Sequence, residues 1–358
     1  MKVAIIGAGL AGLACAHELE RNGVFPQIFE RSSLIGEIME LPAIQMRMFY
    51  TPLIDPFKYM RNKFNLNLTP HYILNELIMK SPNKIATVNE NLGWIFRRGS
   101  FSDSMTNQIR STITAPISLN TEVNFKDIKN KFDSVVIASG SLSEAETMNI
   151  FTATYFACTR IATVYGRFKT NSINIWLNTE YAKASYAYLV PDTQDRAKLV
   201  LLVNDINPYQ LDSYWDNFLL TEKISYKITK TTDLAHKIGR VNPVQVGNLY
   251  FCGLAGGFMD DFIGFGTIGC VISGLLAAKA IINNLDYNKA MKPFISRLKK
   301  LHEYRLAMNS FTNEDYDRIM TLLDNPAIQA LTYKNPLFRV PPSYLLAKMY
   351  NFIKAQTH

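Results

Sequence analysis

A short apolar run, Val3-Ala-Ile-Ile6, breaks at once into Gly7-Ala-Gly9-Leu-Ala-Gly12. A helix-like segment, Leu13 to Arg21, follows, and a second apolar run closes at Ile28-Phe29-Glu30. The pattern predicts strand, turn, helix and strand in series. Phe132-Asp-Ser-Val-Val-Ile-Ala-Ser139-Gly140 is a continuous β-branched run ending at glycine, as strands buried on both faces do. Gly247-Asn-Leu-Tyr-Phe-Cys-Gly253 reads as another short buried strand, followed by a glycine-rich loop and an apolar helix from Thr267 to Asn283. Residues 31–92 read as mixed and mostly helical. Gly93 to Arg98 reads as a strand, Ser102 or Asp103 as the cap of a helix reaching Arg110, and Ile117 to Val123 as a strand. From 150 to 230 aromatic and β-branched residues alternate, as in Ser172-Ile-Asn-Ile-Trp-Leu177 and Ser185-Tyr-Ala-Tyr-Leu-Val190, and predict antiparallel strands of a separate sheet.

These elements predict an α/β chain. A Rossmann-like nucleotide domain with a parallel sheet is assembled from residues 1–40, 90–145 and 241–284. A helical insertion is expected at 41–89, a mostly antiparallel β substrate domain at 146–240, and a helical C-terminal region at 285–358.

The opening glycines carry the first chemistry. A strand running into Gly-x-Gly-x-x-Gly, then a helix, then a strand ending in an acid is the dinucleotide fingerprint in its proper setting. Gly7 permits the tight turn, Gly9 lets backbone approach a pyrophosphate, and Gly12 lets the helix pack on the sheet. The helix N-terminus offers N–H groups and a partial positive charge to the phosphates. Glu30 can accept ribose hydroxyls, and its charge opposes a 2′-phosphate.

Bulk properties narrow the class. The 358 residues are 48% hydrophobic and 19% charged, ordinary for a folded protein with one large or two smaller domains. The run after Lys2 is too short for a signal peptide, and no stretch reaches the roughly 18 apolar residues of a membrane span. The expected location is cytoplasmic. Cys15, Cys158, Cys252 and Cys270 are widely spaced, which excludes a zinc ribbon and argues against a dithiol site. The five histidines show no metal spacing, so no metal is expected. The formal charge of +8 is uneven: residues 285–358 hold 11 Lys and Arg against 6 Asp and Glu. That tail reads as a helical cap with a solvated basic face; a peripheral contact with an acidic membrane or partner is the alternative. No motif points to nucleic acid.

A second glycine region, Gly253-Leu254-Ala-Gly-Gly-Phe-Met-Asp260-Asp261-Phe-Ile-Gly264-Phe-Gly266, precedes a helix rich in small residues. A simple NAD dehydrogenase needs no such element, whereas a large cofactor laid across the sheet does. With it, the chain resembles the FAD-binding flavoproteins of glutathione-reductase-type fold, in their para-hydroxybenzoate-hydroxylase-like branch. Within that branch it is most similar to the geranylgeranyl reductase family. Gly7 to Glu30-Arg31, Val123, the run to Ser139-Gly140, and Gly253 to Gly266 match the family's FAD segments, which span the chain to about residue 285. The resemblance implies FAD as cofactor. It places Arg31 against adenine or its ribose, Val123 beside adenine, and Leu254, Gly264 and Gly266 at the ribityl and flavin end. Arg98 is a further candidate for the pyrophosphate. Tyr186-Ala-Tyr188-Leu-Val190-Pro191 resembles the reductases' Tyr-x-Trp-x-Phe-Pro strand, which lines an isoprenoid tunnel. Tyr186 and Tyr188 are therefore candidates for orienting a hydrophobic substrate or relaying a proton; an aromatic core face is the alternative.

Several positions depart from the family pattern. Leu254 stands where an Asp holds a ribityl hydroxyl, and Asp261 where a Pro precedes Gly-x-Gly. Leu41 to Arg47 replaces a Cys/Gly-rich patch, and Glu37 a second glycine after Glu30. Asp260 or Asp261 could supply the missing carboxylate. No second Gly-x-Gly-x-x-Gly occurs, so electrons are expected from an external donor such as NAD(P)H. The expected reaction is hydride transfer from reduced flavin to a C=C bond of an isoprenoid-like substrate. A monooxygenase of the same fold, and a degenerate nucleotide- or lipid-binding homologue, are the alternatives.

Overall fold

The computed structural model describes residues 1–36, 40–49, 53, 55–330 and 333. In chain order its first half runs β1 (Val3–Ile6), α1 (Leu10–Arg21), β2 (Gln27–Phe29), β3 (Ala43–Met46), α2 (Pro56–Phe64), β4 (Tyr72–Lys80) and β5 (Ile85–Phe96). Then come α3 (Met105–Arg110), β6 (Ile117–Ser118), α4 (Phe125–Ile128), β7 (Ser134–Ile137), α5 (Ser143–Thr147) and β8 (Phe151–Tyr165). The second half runs β9 (Ser172–Trp176), α6 (Thr179–Ala182), β10 (Ala187–Pro191), β11 (Arg196–Asn204), α7 (Leu211–Thr221) and β12 (Lys227–Val241). It closes with β13 (Gln245–Val246), β14 (Leu249–Phe251), α8 (Thr267–Ile282), α9 (Tyr287–Met308), α10 (Asn313–Leu323) and α11 (Pro326–Gln329).

The first sheet has six strands in the order β13-β14-β7-β1-β2-β6. Its four inner strands are parallel, with Ile5 opposite Ile28 on one side and Val136 on the other. Every residue of β1, β7 and β14 is buried, which is why these segments are apolar without alternation. Helices α1 and α8 pack on one another, and a Cβ on Gly274 would meet the Ala11 carbonyl oxygen at 2.1 Å. The small residues of α8 thus let two helix backbones touch. Helix α8 is buried nearly all round, as an all-apolar helix must be.

The second sheet has eight strands, β12-β8-β11-β10-β9-β4-β5-β3. It is antiparallel except where β4 runs parallel to β9. One face packs on α6 and α7 around Trp176, Tyr181, Trp215 and Phe218. The opposite face lines a large cavity.

Residues 41–89 are a correction: they are not a helical insertion. They contribute β3, β4 and the start of β5 to the second sheet; among the described residues the nine-residue α2 is the one sizeable helix, capped by Asp55 on the Lys58 N–H at 2.9 Å. Leu, Glu, Met and Lys in Tyr72–Lys80 favour helix locally, and a bulge between Leu74 and Glu76 breaks the period-two pattern. Cross-strand pairing overrides both. Two smaller shifts follow the same logic. The cap of α3 is Ser104, while Asp103 pairs with His71 Nδ1 at 3.0 Å. The strand expected over Ile117–Val123 ends at Ser118, because the chain turns at Asn120 (φ 51°) and Thr121 N–H bonds back to the Glu30 carbonyl at 2.8 Å. The long polar strand β12 carried no periodic signal; eight of its fifteen residues are exposed on a sheet edge, where burial imposes no alternation.

The C-terminal region is helical through α11, and α9 and α10 bury Leu298, Leu301, Tyr304, Tyr316, Ile319 and Met320. The remainder of the basic tail, 331–358 apart from Tyr333, and Glu37 lie outside the described residues. Among the described residues no helix is long and apolar enough to cross a membrane.

Candidate functional site

The turn from β1 into α1 is held by backbone proximity. Gly7 has φ +102° and donates its N–H to the Phe29 carbonyl at 2.7 Å. A Cβ there would meet the Ala138 carbonyl oxygen at 2.3 Å, and one on Gly12 would meet the Gly7 carbonyl oxygen at 2.0 Å. Both glycines are therefore structural, and neither lines the cavity. Gly9 differs. It lines the cavity, a Cβ on it would meet nothing within 4 Å, and no side chain caps the helix it begins. This is the arrangement an anion at a helix N-terminus requires.

Glu30, at the end of β2, is buried and lines the cavity. Its two carboxylate oxygens accept the Ala8 and Ser32 N–H groups, each at 2.8 Å. These bonds aim the carboxylate and leave it further lone pairs for hydroxyl donors. Exposed Arg31 lines the same end, as do Ser139 and Gly140 beyond β7. Val123 does not: it is half-buried against the core.

Gly253 opens a 3-10 turn after β14 and donates its N–H to Ser273 Oγ of α8 at 2.8 Å. Leu254, Gly264 and Gly266 all face the cavity, with Leu254 at 37% exposure. Gly266 leads into α8, whose N-terminus again has no side-chain cap. Neither neighbouring carboxylate is free to stand in for an Asp at 254. Asp260 is fully buried and accepts the N–H groups of Phe262, Ile263 and Phe265 at 3.2, 2.8 and 3.1 Å. Burial pushes its carboxyl up. Asp261 accepts Arg240 at 3.1 and 3.2 Å and His302 Nδ1 at 2.7 Å. Burial raises this carboxyl too, but Arg240, Thr154 and His302 together hold it below the usual range.

Arg305 of α9 completes the brace. Its guanidinium is 2% exposed and donates to the carbonyls of Asp261 (2.7 Å), Phe262 and Ala184, while stacking 5.1 Å over the Tyr155 ring. Arg305 tethers the glycine loop to the segment before β10. Nothing local in the sequence marks it, since its partners lie 43 to 121 positions away.

Arg98, the candidate for the pyrophosphate, lines the cavity. It follows β5 by two residues, and its charge acts on Tyr188 and on Cys270 in the first turn of α8. Burial lowers its pKa, and burial pushes the Cys270 thiol up to about 12. Tyr188 of β10 and Tyr186, the residue just before that strand, have ring centroids 5.9 Å apart, and both line the cavity. The Tyr186 hydroxyl donates to the Ile263 carbonyl, so its proton is engaged in holding the loop. Burial raises both phenols well above their ordinary value. They remain protonated donors near neutral pH.

The cavity encloses about 2,070 Å³. That is about twice the upper range of ordinary ligand pockets, which run roughly 300–1,000 Å³. From Gly9 and Glu30 it passes under the 253–266 loop to Tyr188. It ends between the second sheet and the C-terminal helices, at Leu77, Met79, Ile175, Phe311 and Ile319. One compartment thus has an anion-receptive end and an apolar end.

Residues 5–38 match the NAD(P)-binding Rossmann-like domain family. The small chain of NADPH glutamate synthase from Escherichia coli (strain K12) is 45% identical over 69 residues, 18% of this chain. The match spans 15% of that relative's length. Among solved structures, a geranylgeranyl bacteriochlorophyll reductase-like protein from Thermoplasma acidophilum superposes with a TM-score of 0.68 at 13% identity, covering 95% of this chain and 98% of its own. A flavoprotein/dehydrogenase from Cytophaga hutchinsonii gives 0.68 at 12% identity over the whole of both chains. The flavin-dependent brominase Bmp2 gives 0.61 at 14%, covering 100% of this chain and 99% of its own. The likeness spans reductases and halogenases alike, and at these identities it concerns the fold. The chain has the FAD/NAD(P)-binding Rossmann-type flavoprotein fold.

Proposed function

We propose that the chain is an FAD-dependent oxidoreductase that reduces a C=C bond of a hydrophobic substrate, drawing electrons from an external donor such as NAD(P)H. The observation that carries this reading is the continuity of the cavity. The open approach at Gly9, the Glu30 carboxylate and the glycine loop before α8 lie in one compartment with an apolar chamber beyond Tyr188. The residues fit FAD at the nucleotide half: the uncapped N-terminus of α1 at Gly9 would hold the phosphates, and Glu30 would accept ribose hydroxyls. Bound and reduced, FAD supplies a hydride. The protein supplies the rest. The N-terminus of α8 presents N–H groups and partial positive charge towards the flavin end. Tyr188, held beside Arg98, orients the substrate face, and Leu77, Met79 and Ile175 exclude water from it.

Purified protein is expected to take up FAD, show flavin absorption and bleach with dithionite, and reoxidise when a polyunsaturated isoprenoid is added without oxygen. Reoxidation only by oxygen, with a hydroxylated product, would move the reaction to monooxygenation. Colourless protein that takes up no FAD would overturn both. Leu254 supplies a sharper check. Because it is exposed over the cavity, Leu254→Asp restores an acceptor without burying a charge, and FAD is expected to bind about 5- to 10-fold more tightly by equilibrium dialysis.

A further inference from the structure

The cavity floor is one face of the second sheet, and its strand register serves as a ruler. Tyr188 of β10 lies opposite Val200 of β11 and Ile175 of β9, and Ile175 lies opposite Met79 of β4. Towards β9 and β4 the floor is apolar. On the other side it is cationic. Lys198 lies two residues along β11 from Val200, opposite Thr163 of β8, which in turn lies opposite Lys230 of β12. Lys198, Thr163, Lys230 and Arg196 all line the cavity.

Lys198 is 7% exposed, and among the described residues its one hydrogen bond is to Thr163 Oγ1 at 2.9 Å. An ammonium has three donors, so two remain for a ligand. A lysine buried this deeply needs an anionic partner. The carboxylates that act on it are Asp192 and Glu40. Asp192 is already paired with Arg196, and Arg97 lies 3.7 Å from it. Glu40 is exposed. Arg97 is shared between Asp192 and Asp103 and does not line the cavity; Arg196, Lys198 and Lys230 face it against Glu40, so the corner presents net positive charge to an apolar space.

We propose that this corner binds the anionic head group, phosphate or carboxylate, of an amphiphilic substrate whose hydrocarbon crosses Tyr188 towards β9 and β4. The proposal rests on the flavoenzyme reading for what happens at Tyr188, but the binding itself needs no flavin. The geometry sets the scale. Lys198 lies one strand over and two residues along from Tyr188, about 8 Å between Cα positions. The floor from β11 to β4 spans three strand spacings, about 14 Å. A head group at Lys198 therefore leaves the nearest part of the chain at Tyr188 and the remainder in the apolar arm.

Calorimetric titration of the purified protein with dodecyl phosphate, dodecanoate and dodecanol, each below its micellar concentration, tests this. At least one anionic amphiphile is expected to bind about 10- to 100-fold more tightly than the alcohol, the range for a hydrogen bond to a charged group. Preference for the phosphate assigns a phosphate head group, and preference for dodecanoate a carboxylate. Lys198→Met is expected to erase the advantage while leaving dodecanol binding in place, and Lys198→Arg to keep most of it. Lys230→Met, at an exposed position where folding is not at risk, is expected to reduce it about threefold. Dodecanol binding as tightly as both anions, or an advantage unmoved by the substitutions, would overturn the proposal. Flavin content is read from the absorbance of the same samples. Lost preference in flavin-loaded protein removes this inference alone. Preference in protein that takes up no flavin removes the oxidoreductase reading alone.

Discussion

Arg305→Met is expected to destabilise the protein by about 3–5 kcal/mol and to release flavin. The guanidinium bonds three backbone carbonyls, those of Asp261, Ala184 and Phe262, at 2% exposure. Methionine fills much of the volume but leaves these acceptors buried without donors. Each unsatisfied group costs about 1–3 kcal/mol, less than additively because the loop relaxes. The relaxation is what affects binding. Residues 260–263 are held by Arg305, by the Asp261 pairs with Arg240 and His302, and by the Tyr186 hydroxyl on Ile263. Removing the central tie frees the loop that carries Gly264 and Gly266. Urea unfolding followed by circular dichroism measures the first effect, and the flavin-to-protein ratio after gel filtration the second. Arg305→Lys keeps a charge but cannot span three acceptors and should fall between. A wild-type urea midpoint for Arg305→Met would show that the tether contributes nothing net.

Gly12→Val and Gly9→Ala are expected to separate folding from binding at adjacent turns of one motif. At Gly12 the added Cβ would lie 2.0 Å from the Gly7 carbonyl oxygen and 3.1 Å from the Ile5 side chain. The first of these is backbone in a turn that Gly7 itself holds against Ala138, so no rotamer change relieves the clash. A cost above about 3 kcal/mol, with loss of soluble protein, is expected. Gly9 has a φ of −85° and open space at its Cβ, so alanine should change stability by less than about 1 kcal/mol. The methyl would instead project where a pyrophosphate approaches, and FAD affinity should fall about tenfold or more. Thermal melts and FAD titrations of the two variants read the two effects independently. If Gly9→Ala binds FAD as wild type does, the cofactor does not cross that turn.

The parts legible in the chain are those where local pattern and tertiary role coincide. The β1–α1–β2 unit announces itself because a buried parallel strand must be apolar throughout, and its turn tolerates only glycine at Gly7. The strand ending at Ser139-Gly140 and the Gly253–Gly266 loop were readable for the same reason. They line the cavity with Gly9 and Glu30, although about 250 residues separate the outermost of them. Tyr186 and Tyr188 were legible as one strand face by simple alternation.

Residues 41–89 were not legible as sheet, because helical composition and a bulge at Leu74–Glu76 conceal pairing that is decided by β5 and β9. The edge strand β12 is mostly exposed before Ile238 and has no continuous buried face there to impose a pattern. The roles of Asp260, Asp261, Arg98 and Arg305 depended on which distant groups reached them. Asp260 turned inwards onto its own loop, Asp261 met Arg240 and His302, and Arg98 came within reach of Tyr188 and Cys270. By itself, then, the sequence determined a dinucleotide-type turn, a discontinuous parallel sheet and a second glycine loop, since each depends on backbone sterics and burial within a few residues. Only the tertiary structure decided how that loop is held, where the cations stand and how far the cavity runs, since these depend on pairing and charge between residues far apart in the chain.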